Sequence, residues 1–181
     1  WKDWYTFISC QTDFVLVVAG SSDFETYQDF VDYAAANPGK LSSGNPGLGS
    51  VGHLAAVTFC NAFGIETNHV PYSGGRAAAI GDLKPLACTG ESDKIVTMAD
   101  DTEITIPTLD GEKPEIAETT NKLAMWGVAL PRTAPAEQVL AFQQAWQDAV
   151  DSEEFKAYCE EIGIKPAAIT GDEADKLLSE G

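Results

Sequence analysis

The chain has 181 residues, 44% of them apolar, and its 28 acidic and 11 basic residues give a formal net charge of −17. A chain of this length buries about 70% of the surface that it exposes when unfolded, enough for one core or two small lobes. The negative charge repels phosphate backbones, which excludes nucleic acid as an expected partner. The longest apolar run, Phe14–Ala19, is far shorter than the roughly 20 residues that span a bilayer, so we expect a soluble protein, with no signal peptide in this chain.

Apolar patterning predicts an α/β order of elements in the first half of the chain. Residues 14–19 are apolar at every position, as in a strand covered on both faces of a largely parallel sheet. A helix capped by Thr26 and ended by Asn37 follows. A second helix is expected from about Ser50 to Ala62. Its predicted inward residues are Leu54, Val57 and Thr58, and its predicted end is Gly64.

Further strands are predicted at 69–72, 83–89 and 126–130, followed by two helices capped by Thr133 and Ser152. The predicted inward residues of these helices are Val139, Phe142, Trp146, Val150, Phe155, Tyr158, Cys159 and Ile162. The acidic connection 91–121 is expected to be too polar for the core. The 12 residues from 73 to 84 are short for a crossover between parallel strands, which suggests that a segment is missing there.

The cysteines do not form a metal-binding or redox motif. No C-x-x-C pair and no His at metal spacing occurs, so a zinc site or a thioredoxin-like site has little support. Buried thiols are favoured, and one or two disulfides stay open if the protein is exported. The four residues are Cys10, Cys60, Cys88 and Cys159.

A glycine-rich stretch, Gly47–Gly52, matches G-x-G-x-x-G. A dinucleotide-binding turn also needs a hydrophobic strand before it and an acid about 20 residues further on. Lys40–Ser43 is too short and polar to predict that strand, and the nearest acid is Glu66. No Lys precedes Ser50, which excludes a Walker loop. A nicotinamide cofactor therefore remains only a weak alternative.

Such a turn can also hold an anion. A glycine-rich turn that opens a helix leaves backbone N–H groups unsatisfied, and these donors and the helix dipole favour a carboxylate. A second turn of this kind reads Tyr72-Ser-Gly-Gly75. Taken singly, each turn is explained by a helix cap and tight-turn glycines, but together they predict two loops that hold a small organic acid. The neutral side-chain donors in these loops are Ser43, Asn45, Ser50 and Ser73.

Two segments, Asp32–Ala55 and His69–Gly75, resemble the substrate-binding proteins of tripartite tricarboxylate transporters, the TctC or Bug family. Similarity in the same order covers nearly the whole chain. The further similar segments are Phe14–Val18, Leu83–Ala87, Ile106–Thr108, Trp126–Pro131, Glu154–Phe155 and Gly163–Pro166.

The resemblance implies an α/β, periplasmic-binding-protein-like fold of type II, with two lobes of sheet flanked by helices. It also implies a carboxylate in the cleft, membrane permease subunits as partners, a monomeric state, and a periplasmic or extracytoplasmic location, with a lipid anchor left open. Residues 13–88 correspond to the second, ligand-binding lobe. Residues 1–12 and 89–181 correspond to the hinge, a remnant of the first lobe and the C-terminal helices. By this likeness the first lobe is incomplete, and a second gap falls between Ile80 and Gly81.

The residues that match the family's ligand-facing segments form the predicted site. Arg76 departs from the small residue usual in the family, and it could clamp a carboxylate or face solvent. His53 and His69 are expected to be packing or surface residues, and Ser50 lacks the G-x-S-x-G frame of a nucleophile. The predicted ligand-binding residues are Ser43, Gly44, Asn45, Gly49, Ser50, Tyr72, Ser73, Gly74, Gly75 and Arg76.

The sequence thus predicts a non-enzymatic solute-binding protein without a metal or cofactor, which closes its lobes over a carboxylate by a hinge motion. Two alternatives stay open. One is a sensor domain that passes the same ligand signal to a membrane receptor. The other is an NAD-dependent oxidoreductase that uses Gly47–Gly52.

Overall fold

The computed structural model describes residues 1–71, 83–97 and 101–180. In chain order the elements are β1 (Trp4–Gln11), β2 (Val15–Ala19), α1 (Tyr27–Ala36), β3 (Ser42–Asn45), α2 (Val51–Phe63), β4 (Asn68–Pro71), β5 (Leu83–Cys88), β6 (Lys94–Thr97), β7 (Glu103–Ile106), α3 (Pro114–Thr120), β8 (Met125–Pro131), α4 (Ala136–Asp151), α5 (Glu153–Glu161), β9 (Lys165–Thr170) and α6 (Gly171–Glu180).

The chain divides into two compact units. The first comprises Trp1–Thr12 and Ala124–Gly181, and the second comprises Asp13–Leu123. The sequence analysis gave the second lobe the bounds 13–88. In the structure, residues 89–123 also belong to the second unit. The assignment of these units to the lobes of the family fold stays a prediction.

The first unit is built on an antiparallel sheet in the order β8-β1-β9. The central strand β1 buries Phe7 and Ile8. Helix α4 packs on Phe7, whose ring centroid lies 5.0 Å from that of Phe142 and 5.4 Å from that of Trp146. The apolar stripe predicted for α4 is therefore confirmed, and its Trp146 and Val150 are buried.

The start of α4 differs from the prediction. The helix begins after Pro135, and no side chain caps it, so Thr133 as the cap is wrong. Proline serves at a helix start because its φ is already helical and its missing N–H would have no partner there.

Helix α5 is capped as predicted. The Ser152 Oγ accepts a hydrogen bond from the Phe155 N–H at 3.2 Å. The predicted inward face is only partly confirmed, because Cys159 is buried while Tyr158 and Ile162 are exposed. This short helix buries a narrow i, i+4 stripe rather than the wider face that the sequence suggested.

Helix α1 of the second unit matches its prediction. The Thr26 Oγ1 accepts from the Asp29 N–H at 3.2 Å, and an Asp29 carboxylate oxygen accepts from the Thr26 N–H at 2.8 Å. This reciprocal pair is a capping box. Val31 and Ala34 are buried, and Asn37 ends the helix.

Helix α2 begins and ends as expected but faces a different way. Ser50 caps it, and Gly64 ends it with a left-handed φ of 63°. The buried residues are Ala55, Phe59 and Cys60, whereas Leu54, which was predicted to face inward, is 40% exposed. The inward face lies one residue further along than predicted, a rotation of about 100°. The prediction of Leu54, Val57 and Thr58 as the inward face is therefore wrong.

The strand pairing of the second unit is mostly antiparallel in the described residues. β2 pairs with β5 and β6 with β7 antiparallel, and only β3 and β4 are parallel. The expectation of a largely parallel sheet is therefore wrong for the pairs that the structure describes. β2 is not covered on both faces either, since Val15 and Val17 are each 39% exposed.

The connection 91–121 contributes to the core, contrary to expectation. It contains β6, β7 and α3, and it buries Leu109, Ile116 and Thr120 to 2% exposure or less. Ile116 and Thr120 are four residues apart on α3, so they share the buried face of the helix, whereas Glu115 and Glu118 are exposed. The polar composition of the whole connection gave no indication of this buried face of α3.

The four cysteines are buried free thiols. Burial raises the pKa of the Cys10 thiol, to which the nearby Cys159 adds, and burial also raises the pKa of Cys60. Within the described ranges, no helix has both the length and the apolar character needed to cross a membrane.

Candidate functional site

The candidate site is the turn between β3 and α2, residues 45–50, which we call the glycine turn. Gly47 and Gly49 have φ values of 138° and 79°. A Cβ atom at either position would meet none of the described residues within 4 Å, so the backbone conformation requires glycine here. Glycine at these two positions therefore lets the turn adopt positive φ angles directly before the start of α2.

The strand before this turn was missed in the sequence. β3 spans Ser42–Asn45 and pairs with β4, so the turn does have the strand–turn–helix context of a dinucleotide site. The acid that would hold the ribose belongs at the end of the next strand. Glu66 instead precedes β4, which begins at Asn68. The structure therefore supplies the missing strand but puts the nearest acid at the wrong end of β4.

Several N–H groups of the turn have partners inside it. The Gly47 N–H donates to the Asn45 Oδ1 at 3.1 Å, and the Ser50 N–H donates to the Gly47 carbonyl at 3.1 Å. The Gly49 N–H donates to the His53 Nδ1 at 3.1 Å. The His53 N–H donates to the Ser50 Oγ at 3.2 Å, so Ser50 serves as the helix cap while its hydroxyl hydrogen remains a donor.

Other donors at the turn have no hydrogen-bond partner among the described residues. The backbone N–H groups of Val51 and Gly52 form the first turn of α2 and receive no acceptor there. The Asn45 side chain is 4% exposed, and its Nδ2 also lacks a partner. An unsatisfied buried amide costs about 1–3 kcal/mol, so a site that pairs it with an acceptor gains this energy back.

His53 and His69 contact each other beside the turn. Their ring centroids are 5.0 Å apart with an interplanar angle of 83°. His69 lies on β4 opposite Ser43 of β3, and its Nδ1 is buried without a hydrogen-bond partner in the described part of the chain. The expectation that both are packing or surface residues did not include the hydrogen bond from the Gly49 N–H to the His53 Nδ1. Its sequence signal is Ser50-Val-Gly-His53, which has the spacing of a capping box with His as the acceptor.

The predicted site residues fall into two groups. Ser43, Gly44 and Asn45 lie on β3, and Gly49 and Ser50 lie in the glycine turn. Pro71, at the end of β4, is opposite Asn45, so these parallel strands end at the same edge. The second predicted group falls outside the described residues. It consists of Tyr72, Ser73, Gly74, Gly75 and Arg76.

A cavity of about 600 Å³ lies inside the second unit. Its walls include Phe14–Ala19, Leu41–Gly44 and the α2 residues Ala55 and Phe59, and they are largely apolar. Ser43, Gly44 and Gly52 reach it, whereas Asn45 and Ser50 do not line it. The Asn45 amide and the Val51 N–H, two of the unpaired donors, therefore belong to residues outside the lining of this cavity. Among the described side chains, no group of three or more His, Cys, Asp and Glu residues is placed to hold a metal ion.

Residues 5–98 match the family described as "Tripartite tricarboxylate transporter family receptor". A curated relative from Cupriavidus necator, "UPF0065 protein in gbd 5'region", is 24% identical over 183 residues, covering 92% of this chain and 55% of the relative. The chain spans about half the length of the curated relatives it matches.

Two solved structures share the fold. "Structure of a periplasmic transporter" is 24% identical, with a TM-score of 0.73, covering 97% of this chain and 64% of that one. "R. palustris Rpa4515 with adipate" is 22% identical, with a TM-score of 0.67, covering 98% and 64%. The fold is therefore the mixed α/β fold of periplasmic binding proteins, as the sequence predicted.

Proposed function

Because the chain belongs to the tripartite tricarboxylate transporter receptor family, we propose that it binds a small organic carboxylate and presents it to membrane permease subunits. The proposal includes a periplasmic location and a binding role without catalysis. Support comes from the family match and from the relative named with adipate, a dicarboxylate. The neutral hydrogen-bond donors of the glycine turn suit a carboxylate ligand.

One observation carries the proposal: the Asn45 side-chain amide, at the end of β3 where the glycine turn begins, is buried, and its Nδ2 has no partner among the described residues. A carboxylate oxygen would accept from this group and from the N–H groups of Val51 and Gly52. Each hydrogen bond to a charged group contributes about 1.5–3 kcal/mol. The dipole of α2 adds a further favourable interaction of about 0.3–2 kcal/mol.

The acidic charge of the chain does not oppose this site. Residues 41–71 contain one acid, Glu66, and neither Lys nor Arg, so the described part of the site recognises an anion through neutral donors. Salt screens the distant carboxylates beyond about 8 Å at physiological ionic strength. Local donors therefore set the affinity.

The test is isothermal titration of this chain with adipate, with a tricarboxylate and with NAD. The diagnostic variant is Asn45→Asp, because its carboxylate still accepts the Gly47 N–H but replaces the unpaired donor with a negative charge. We expect adipate binding in the wild type and at least a tenfold loss in the variant. Asn61→Asp is the matched control, since it adds the same charge at an exposed position near the other end of α2.

NAD binding without carboxylate binding would contradict the proposal and support the oxidoreductase alternative. Equal adipate affinities of wild type and Asn45→Asp would show that the carboxylate binds away from the glycine turn. A sensor would show the same binding as a transport receptor, so copurification with permease subunits is the measurement that separates those two roles.

A further inference from the structure

His53 is held between the glycine turn and β4 by three contacts. Its Nδ1 accepts from the Gly49 N–H at 3.1 Å, and its backbone N–H donates to the Ser50 Oγ at 3.2 Å. Its ring packs edge-on against His69 at 5.0 Å. These contacts fix the side chain without involving either histidine in a metal site.

The hydrogen bond from the Gly49 N–H determines which ring nitrogen of the neutral His53 side chain carries the proton. A ring nitrogen that accepts a hydrogen bond carries no proton, so the proton of neutral His53 resides on Nε2. The arrangement is a variant of the capping box. Ser50 satisfies the helix N–H at His53, and His53 reaches back to satisfy the N–H at Gly49.

We infer that His53 is a positioning residue for ligand binding: its Nδ1 holds the Gly49 N–H inside the turn and thereby fixes which donors face the carboxylate. The inference rests on the proposed function, because it concerns the same turn. With Gly49 anchored at a φ of 79°, the backbone N–H groups of Val51 and Gly52 at the helix start, and that of Leu48 within the turn, have no partner among the described residues. Without the anchor, Gly49 and its neighbours can rotate, and the ligand must order them when it binds.

Two substitutions separate an acceptor role from a packing role. In His53→Asn, the Oδ1 is two bonds from Cβ, as Nδ1 is in histidine, so an acceptor is restored at nearly the same place. His53→Leu fills a similar space without an acceptor. His69→Phe is the control, since it keeps the ring contact but does not touch the bond to Gly49.

The first measurement is the adipate affinity of each variant at pH 7.5. We expect His53→Leu to lose about fivefold to tenfold, and His53→Asn and His69→Phe to stay within about threefold of the wild type. The second measurement is hydrogen exchange of the Gly49 amide in the free protein. We expect exchange to accelerate several-fold in His53→Leu and to remain slow in His53→Asn.

Equal affinities of His53→Leu and wild type, or unchanged exchange at Gly49 in His53→Leu, would overturn the inference. An equal loss in His53→Asn and His53→Leu would also overturn it, because the acceptor would then be irrelevant. A wild type that binds no carboxylate would instead overturn the proposed function. In that case the Gly49 exchange, which needs no ligand, still decides whether His53 positions the turn.

Discussion

Glycine is required for different physical reasons in β8 of the first unit and in the glycine turn of the second. At Gly127 a Cβ would overlap the carbonyl oxygen of Phe7 and lie 2.9 Å from the Cα of Ile8. At Gly49 a Cβ would have no neighbour within 4 Å in the described part of the chain, but the φ of 79° disfavours any L side chain. The first position lacks space, whereas the second needs an unusual backbone conformation.

This difference distinguishes a glycine that maintains strand pairing from a glycine that shapes the candidate site. In the first unit, glycine lets β8 approach the irregular part of β1, where the register shifts between Ile8 and Cys10. In the glycine turn, the positive φ of Gly49 accompanies a hydrogen bond from its N–H to His53, and the N–H groups of Val51 and Gly52, which have no partner among the described residues, remain available to a ligand. Substitutions at the two positions should therefore affect different properties.

The largest effect is expected for Gly127→Ala. The added methyl group cannot fit beside Phe7 without separating β8 from β1, so we expect a loss of about 3 kcal/mol in the free energy of unfolding. Urea denaturation measures this loss. Val128→Thr, at the adjacent exposed position, is the control and should change stability little. A stable Gly127→Ala variant would show that the close approach of the two strands is not needed.

Gly49→Ala is expected to have an intermediate effect. The left-handed conformation costs about 1–2 kcal/mol for an L side chain, and no clash with the residues that the structure describes adds to it. We expect a loss of about 1 kcal/mol in stability together with weaker adipate binding. Gly111→Ala is the matched control, because Gly111 also has open space but no left-handed φ. Equal effects at the two positions would argue against a conformational role for Gly49.

The smallest effect concerns the capping box of α1. The hydrogen bond with the Thr26 side chain, followed by those from the Thr26 and Glu25 backbones, lowers the pKa of Asp29 below its ordinary 3.8. A lowered folded-state pKa stabilises the protein above the unfolded value, and this contribution is lost as the pH falls through the folded value. We expect Asp29→Asn to lower the thermal midpoint slightly at pH 7.

The same variant should lose its effect in acid. At pH values below 3.8 the difference between Asp29→Asn and wild type should shrink, because the wild-type carboxylate becomes protonated. Asp32→Asn controls for the loss of one charge on the same helix. A difference that stays constant between pH 7 and pH 3 would exclude ionised Asp29 as its source.

Local signals in the sequence predicted the ends of several helices correctly. Thr26, Ser50 and Ser152 act as caps, and Gly64 ends α2, because each motif is complete within a few residues. The face that α2 buries was predicted wrongly, since Phe59 rather than Leu54 points to the core. Contacts with distant elements decide that choice, and periodicity resolves it only to about one residue.

The sequence located the glycine turn, while the role of its residues in ligand binding stays a prediction. The glycines located the turn correctly, because positive φ values favour this residue. The polarity of Ser42 and Ser43 concealed β3, which is defined by its pairing with β4. The hydrogen bond between His53 and Gly49 was not predicted, because the spacing of Ser50 and His53 permits it but does not fix the side-chain rotamer that forms it.

Chemical-shift mapping by NMR tests the central claim most directly, because it observes the proposed donors individually. Adipate should be added to the ¹⁵N-labelled chain while the backbone amides of Val51 and Gly52 and the side-chain amide of Asn45 are followed. We predict that these three groups show the largest downfield proton shifts and saturate together. Shifts confined to other parts of the chain, or none at saturating adipate, would contradict a carboxylate site at the glycine turn.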